Sequence, residues 1–216
     1  MYFITITDVD NRVAPLEPAV KRSCRCPQSA VGFQANDNKR HPVTHKWLGR
    51  PGASQYSGRM VHVGIGYDVH ALVAGRKLVL GGVAIPHAKG LDGHSDADAL
   101  MHAICDAVLG ALGEEDIGHF FPNTDPRWKN APSRIFLEEA AKQVSLRGGK
   151  ILNVDATIIA QEPKLYPHIA EMKRRIAEAL LVPERQIGVK ATTNEHLGFI
   201  GREEGIAAMA VAGIDL

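Results

Sequence analysis

The stretch Gly93-His94-Ser95-Asp96-Ala97-Asp98-Ala99-Leu100-Met101-His102, running on through Asp106 to Gly110, constrains this chain more than any other. A loop carrying His94 and Ser95 leads into a helix on which Asp98, His102 and Asp106 recur at i, i+4 and i+8 and so share one polar stripe. Leu100, Ile104, Ala107, Val108 and Ala111 fall on the opposite side. A helix that buries that side presents two carboxylates and an imidazole to whatever lies across its other face. Water is one occupant of that space, a metal ion the other.

The elements around this helix follow from hydrophobic period and turn residues. Residues 61–70 alternate as a strand, with Gly64 and Gly66 permitting close backbone approach and with Asp68 and His70 on one face. Residues 77–86 hold two short apolar runs about Gly81-Gly82, a hairpin or a bulged strand, and a loop over 87–93 delivers the helix. After it comes a long connection rich in turn residues, over 114–126. Ser133 is placed as N-cap of a second helix whose apolar side includes Ile135, Leu137, Ala141 and Val144 and which ends at Gly148-Gly149. A strand over 152–161 is stopped by Pro163. Pro167 then opens a third helix with the stripe Ile169, Met172, Ile176, Ala179 and Leu180 and the exposed pairs Glu171–Arg175 and Arg174–Glu178. A strand over 187–191, a polar loop over 192–202 and a last strand over 205–214 complete the chain. Strands interspersed with helices give an α/β or α+β domain with helices on one face of a sheet.

Lys and Arg number 25 against 24 Asp and Glu, so there is no general electrostatic case for nucleic acid or a membrane surface, and phosphate binding must be local. No apolar run is long enough to span a bilayer and no signal-peptide core is present, which predicts a cytoplasmic protein. Three cysteines, Cys24, Cys26 and Cys105, are odd in number and read as reduced thiols. Residues 1–59 mix Pro, Arg, Asn, Ser and Gly without sustained periodicity and read as a disordered extension or the product of a start assigned upstream of Met60. A plastid transit segment is the alternative, although Asp8, Asp10, Glu17 and Asp37 make it less acid-poor than such segments are. The domain proper is 60–216. Cys24, Cys26, His41 and His45 lack a matching second ligand pair and are not read as a metal tract.

Ten histidines are mostly surface or hydrogen-bonded residues, so a ligand reading needs partners. Asp68 and His70 share a strand face, and His102 shares a helix face with Asp98 and Asp106. Two imidazoles and one carboxylate suit a zinc-like ion with a fourth position open. Asp98 and Asp106 either orient His102 or form a solvated face. Glu195, among the hydroxyls of Thr192 and Thr193, suits a hard ion such as magnesium, and Lys164 stands just past a strand end; each is also an ordinary loop residue.

These motifs coincide with a known family. Gly66-Tyr67-Asp68-Val69-His70, Gly93-His94-Ser95-Asp96-Ala97-Asp98 with His102, Asp116-Ile117-Gly118, Phe121-Pro122-Asn123-Thr124-Asp125-Pro126, Ala160-Gln161-Glu162-Pro163-Lys164 and Lys190-Ala191-Thr192-Thr193-Asn194-Glu195-His196-Leu197-Gly198-Phe199 resemble 2-C-methyl-D-erythritol 2,4-cyclodiphosphate synthases. The resemblance spans 61–214 in order, and six motifs in register are specific where one would not be. Asn123 departs from it, standing where many relatives carry Asp or Pro.

The resemblance implies a single α+β domain with a mixed four-stranded sheet and helices on one face, assembling as a homotrimer with active sites between subunits. It implies zinc on Asp68, His70 and His102 and a magnesium or manganese ion near Glu195 bridging the substrate diphosphate. The activity implied is a lyase reaction of the non-mevalonate isoprenoid pathway that cyclises 4-diphosphocytidyl-2-C-methyl-D-erythritol 2-phosphate and releases CMP. His94 and Thr193 are implied to stabilise the transition state. Asp68, His70, His94, Ser95, Asp116, Ile117, Gly118, Phe121, Pro122, Asn123, Thr124 and Asp125 are implied to bind the methylerythritol end. Ala160, Pro163, Lys164, Leu165, Tyr166, Thr192, Thr193, Asn194 and Glu195 are implied to hold the cytidine diphosphate part. Phe199 and Arg202, with Glu204, match residues lining a cavity on the trimer axis that is suspected of holding an isoprenoid diphosphate. A zinc phosphohydrolase with the same ligands and an inactive trimeric metal-binding protein are the competing readings. Residues 1–59 are too short to form a second catalytic domain.

Overall fold

The computed structural model describes residues 60–216; the readings for 1–59, among them those of Cys24, Cys26, His41 and His45, lie outside that range. Strand β1 (Val61–Ala74) runs past His70 and pairs along most of its length, antiparallel, with β7 (Gly205–Asp215). The other side of β7 pairs antiparallel with β5 (Lys150–Ile159), which pairs parallel with β6 (Ile187–Thr192). These are the four strands of the expected mixed sheet. A fifth corrects that expectation: β4 (Lys89–Leu91) pairs with the extension of β1 over Leu72, Val73 and Ala74, giving the order β4-β1-β7-β5-β6. Three residues are too few to show alternation, so Lys89-Gly90-Leu91 reads as loop in the sequence. Gly90 fits there because a Cβ would lie 2.3 Å from the Lys77 carbonyl oxygen. Residues 77–86 form the separate hairpin β2 (Leu78–Leu80) and β3 (Val83–Ile85), turning at Gly81 and Gly82, whose φ of +57° and +72° favour glycine.

Helices lie on one face of the sheet, as expected. Helix α1 (Ala99–Ala111) crosses β1 and β7 and packs beside α3 (Arg134–Leu146), which in turn meets α4 (Ile169–Leu180). Val154, Ala156 and Ile158 of β5 and Ile206, Ala208, Ala210, Ala212 and Ile214 of β7 are buried within the core. Direct contact between α1 and β1 requires the glycines of that strand, since a Cβ at Gly64 would lie 2.0 Å from the Ala107 carbonyl oxygen. Two short helices, α2 (Ile117–Phe120) and α5 (Gly198–Gly201), sit in the long polar connections. Among the described residues no helix is long and apolar enough to cross a membrane.

Three local expectations are corrected. Asp98 is not on an open stripe with His102. It is fully buried at the start of α1, where its carboxylate accepts hydrogen bonds from the backbone amides of Met101 (3.0 Å), Gly81 (2.9 Å) and Gly82 (2.6 Å), tying the hairpin turn to the helix. Ser133 stands at the N-cap of α3 but its side chain makes no capping bond, and Ile135 is exposed while Phe136 takes the core position. Pro167 lies in a single tight turn over Tyr166–His168, after which α4 begins.

Candidate metal centre and substrate site

Strand and helix do meet. Asp68 and His70 on β1 face His102 on α1, and their ligating atoms form a small triangle. Asp68 Oδ2 is 3.0 Å from His70 Nε2 and 2.9 Å from His102 Nδ1, and the two imidazole nitrogens are 3.2 Å apart. Tetrahedral ligation at zinc–nitrogen distances of about 2.0–2.1 Å would separate ligand atoms by roughly 3.3 Å, so the triangle fits one face of such a shell with little adjustment. Among the described residues this is the one group of three such side chains able to hold a metal ion. The donor set of two imidazoles and a carboxylate suits zinc and leaves a fourth position open.

The electrostatics follow from the crowding. Burial works against the charge on Asp68, but hydrogen bonds from His102 and His70 outweigh it and hold the carboxyl well below the usual carboxylate range. His70 responds oppositely: burial lowers its pKa, and the hydrogen bond and charge of Asp68 together with the bond to the Asp92 carbonyl outweigh it, raising it above the ordinary value. Both imidazoles are oriented from behind. His70 Nδ1 lies 2.7 Å from the Asp92 carbonyl oxygen, which leaves Nε2 to face the triangle. His102 Nε2 lies 2.8 Å from Ser133 Oγ and 3.2 Å from Ser95 Oγ. Asp106, one turn beyond His102, accepts from the Ile117 amide at 2.8 Å and fastens α2 beside the site; burial pushes its carboxyl up.

The loop that carries His94 and Ser95 is fastened through its backbone. Arg76 donates to the carbonyl oxygens of Gly93 (3.0 Å) and Ser95 (2.9 Å). His94 Nε2 is 3.3 Å from the Asp125 carbonyl oxygen, which brings the second substrate segment alongside the first. Ser95 is buried, with its hydroxyl oxygen accepting from the Ala97 amide. Asp116 caps α2, Asp125 pairs with Arg127 at 2.8 Å, and Pro122, Asn123 and Thr124 are exposed. The Phe121 ring packs on Phe136 with centroids 4.5 Å apart, and Phe136 in turn lies 5.8 Å from the His102 ring.

The remaining site residues gather elsewhere on the same sheet. Ala160, Pro163, Lys164, Leu165, Tyr166, Thr192 and Thr193, with Gln161 and Ala191, line a cavity of about 210 Å³ at the C-terminal ends of β5 and β6. The Glu162–Pro163 bond is cis. Thr193 Oγ1 donates to Glu195, and Asn194 donates to the Leu197 carbonyl oxygen at 2.6 Å. Asp68 is opposite Ala208, which is opposite Ile158, so the triangle lies level with the C-terminal end of β5 along the strands. Glu195 does not join the triangle. It follows β6, three strands from β1, a span of roughly 14 Å at normal strand spacing. Phe199 lies in α5 and Arg202 just after it, pairing with Glu204 at 2.8 Å.

Arg76, the side chain of Ser133 and Asp96 belong to the site without a signal for it in the sequence. Arg76 had no signal, being one cation in a turn. Ser133 was visible only as a helix cap, because its side-chain partners are 31 and 37 residues away in sequence.

A mixed α+β domain with an Asp-His-His triangle between its first strand and first long helix defines the class, and comparison gives the family. Residues 61–215 match the model of the YgbB family, and the chain belongs to it. A relative from Moorella thermoacetica named 2-C-methyl-D-erythritol 2,4-cyclodiphosphate synthase is 59% identical over 151 residues, covering 70% of this chain and 93% of the relative. A solved structure of a synthase of that name, in a form bound to CDP, has a TM-score of 0.66 at 40% identity and covers 71% of this chain and 99% of its own. The bifunctional IspDF of Campylobacter jejuni has a TM-score of 0.71 at 42% identity over 73% of this chain, which spans 43% of that longer protein.

Proposed function

We propose that the chain converts 4-diphosphocytidyl-2-C-methyl-D-erythritol 2-phosphate to 2-C-methyl-D-erythritol 2,4-cyclodiphosphate and CMP, a cyclising phosphorus–oxygen lyase of the non-mevalonate route to isoprenoid precursors. The observation that carries this reading is the open triangle of Asp68, His70 and His102 in a chain 59% identical to a protein named for that product. The substrate's 2-phosphate oxygen bonds to the β-phosphorus as the bond to CMP breaks, so no protein nucleophile is needed. A zinc ion on the triangle and a magnesium or manganese ion near Glu195 would neutralise charge on the transferring phosphoryl group.

The chain's own part is to fold a flexible substrate for in-line attack. In this reading the cavity of Lys164 and Thr192 takes the cytidine diphosphate end. The segments of His94–Ser95, Asp116–Gly118 and Phe121–Asp125 take the methylerythritol end, and His94 and Thr193 donate to the charge that develops between them. The separation of Glu195 from the triangle favours a site completed by a second copy. So does the sheet face turned away from the helices, where Val61, Val63, Ile65, Tyr67, Val69, Met209 and Val211 stand exposed in adjacent rows. A face this apolar marks an interaction surface, and a homotrimer packed through it would set one subunit's triangle beside another's cavity. Phe199 and Arg202 would then lie near the trimer axis, in reach of an isoprenoid diphosphate.

The test is product analysis. Purified protein incubated with the diphosphocytidyl substrate should yield the cyclic diphosphate and CMP, with loss of turnover on chelation. Linear phosphate products would identify a hydrolase instead.

A further inference from the structure

Ser133 opens a helix without capping it, and its buried hydroxyl is spent on a different task. The hydroxyl donates to Asp96 Oδ1, while the Ser133 amide donates to Asp96 Oδ2 at 3.0 Å and the Asp98 amide approaches Oδ1 at 3.3 Å. An ionised carboxylate only accepts, so the serine proton points at Asp96 and the serine oxygen presents a lone pair to His102 Nε2, 2.8 Å away. That nitrogen must then carry a proton. In the metal-free protein Nδ1 donates to Asp68; a metal that takes that proton's place would leave a neutral imidazole with its remaining proton on Nε2 and its lone pair on Nδ1, the atom aimed at the triangle.

We propose that Asp96 and Ser133 form a relay of positioning residues that fixes the tautomer and ring orientation of His102, so that Nδ1 is presented to the metal. The inference rests on the metal reading of the triangle given above. The relay does for His102 what the Asp92 carbonyl does for His70, but through two side chains, and the first of them is set by the loop that carries His94 and Ser95. Ser95 Oγ, at 3.2 Å, is the weaker alternative acceptor. Partners behind a ligating histidine typically carry about 10–100-fold in metal affinity.

The test measures zinc dissociation constants of the full chain by chelator competition. The proteins compared are wild type, Ser133→Ala, Asp96→Ala, the double variant and His102→Ala. Ser133→Ala should weaken zinc by roughly tenfold or more, Asp96→Ala by a comparable factor, and the double variant no further than Ser133→Ala alone, because Asp96 reaches His102 only through the hydroxyl. Losses that multiply in the double variant, or a Ser133→Ala protein within about twofold of wild type, would overturn the relay. A second readout covers a variant that folds poorly: in zinc-loaded wild type the His102 ring proton should appear on Nε2 by nitrogen-edited NMR, and its appearance on Nδ1 would also overturn the proposal. His102→Ala separates the two claims. If it binds zinc as wild type does, the metal reading itself fails.

Discussion

A Cβ placed on Gly66 would lie 2.0 Å from the carbonyl oxygen of Ala103. The neighbour is helix backbone and cannot swing aside, so this glycine sets the spacing between β1 and α1. The same spacing brings Asp68, two residues on, to the residue preceding Ala103, which is His102. Gly66→Ala should therefore cost more than about 3 kcal/mol, above the usual penalty for overpacking, and weaken metal binding as well. A urea unfolding midpoint and a zinc titration check both; a variant as stable as wild type would show that the contact is softer than it looks.

Proton competition should govern the metal. The depressed Asp68 contributes stability to the metal-free protein that is present above its unfolded value of 3.8 and lost as pH falls toward its folded one. The raised His70 contributes stability that is full below 6.5 and lost as pH rises through its higher folded value. Metal-free protein thus draws most on this pair between those two values, whereas ligation needs the imidazole neutral. Zinc affinity should tighten by up to about tenfold per unit as pH rises from 6.5 toward the higher folded value of His70 and level off above it, while the metal-free melting temperature drifts down over the same interval. A flat zinc affinity would mean that His70 is not a ligand.

Arg76 fastens the loop 92–95 through two carbonyl oxygens. Its removal frees the segment that carries His94 and loosens the Asp92 carbonyl behind His70 as well. Arg76→Ala should lower kcat/KM by about tenfold or more, the scale of a misplaced positioning contact, and weaken metal binding by a smaller factor. Steady-state kinetics alongside metal analysis would check it.

Leu181 ends α4 in the left-handed region, with φ of +56°, and its side chain is 87% exposed. Leucine pays a steric cost there that glycine avoids, so Leu181→Gly should stabilise the protein by about 0.5–1 kcal/mol. The expected reading is a melting temperature a few degrees higher with turnover unchanged.

Where the sequence was legible, one element carried its own pattern. Residues 61–70 and 152–161 alternate with period two and became β1 and β5, and the stripe of Met172, Ile176, Ala179 and Leu180 became the buried side of α4. Asp68 and His70 could be paired because they share one strand. What was not legible depended on distant chain. β4 exists only because β1 continues far enough to pair with it. Asp98 shares a helical stripe with His102 by arithmetic, yet a hairpin turn 16 and 17 residues earlier covers it. Asp96 and Ser133 look like a loop acid and a cap until the fold sets them against His102. Thr193 and Glu195 stand three strands from the triangle within one chain, and no period in the sequence could join them to it.

His102 is the residue on which the triangle depends most directly. Its imidazole touches both other members of the triangle, and its removal leaves two donors, too few for a closed zinc site. Metal content and turnover of the diphosphocytidyl substrate should be measured together on wild type and His102→Ala. The expected result is that zinc and cyclic diphosphate formation disappear in parallel while the variant stays folded. Turnover retained by a zinc-free His102→Ala protein would contradict the account.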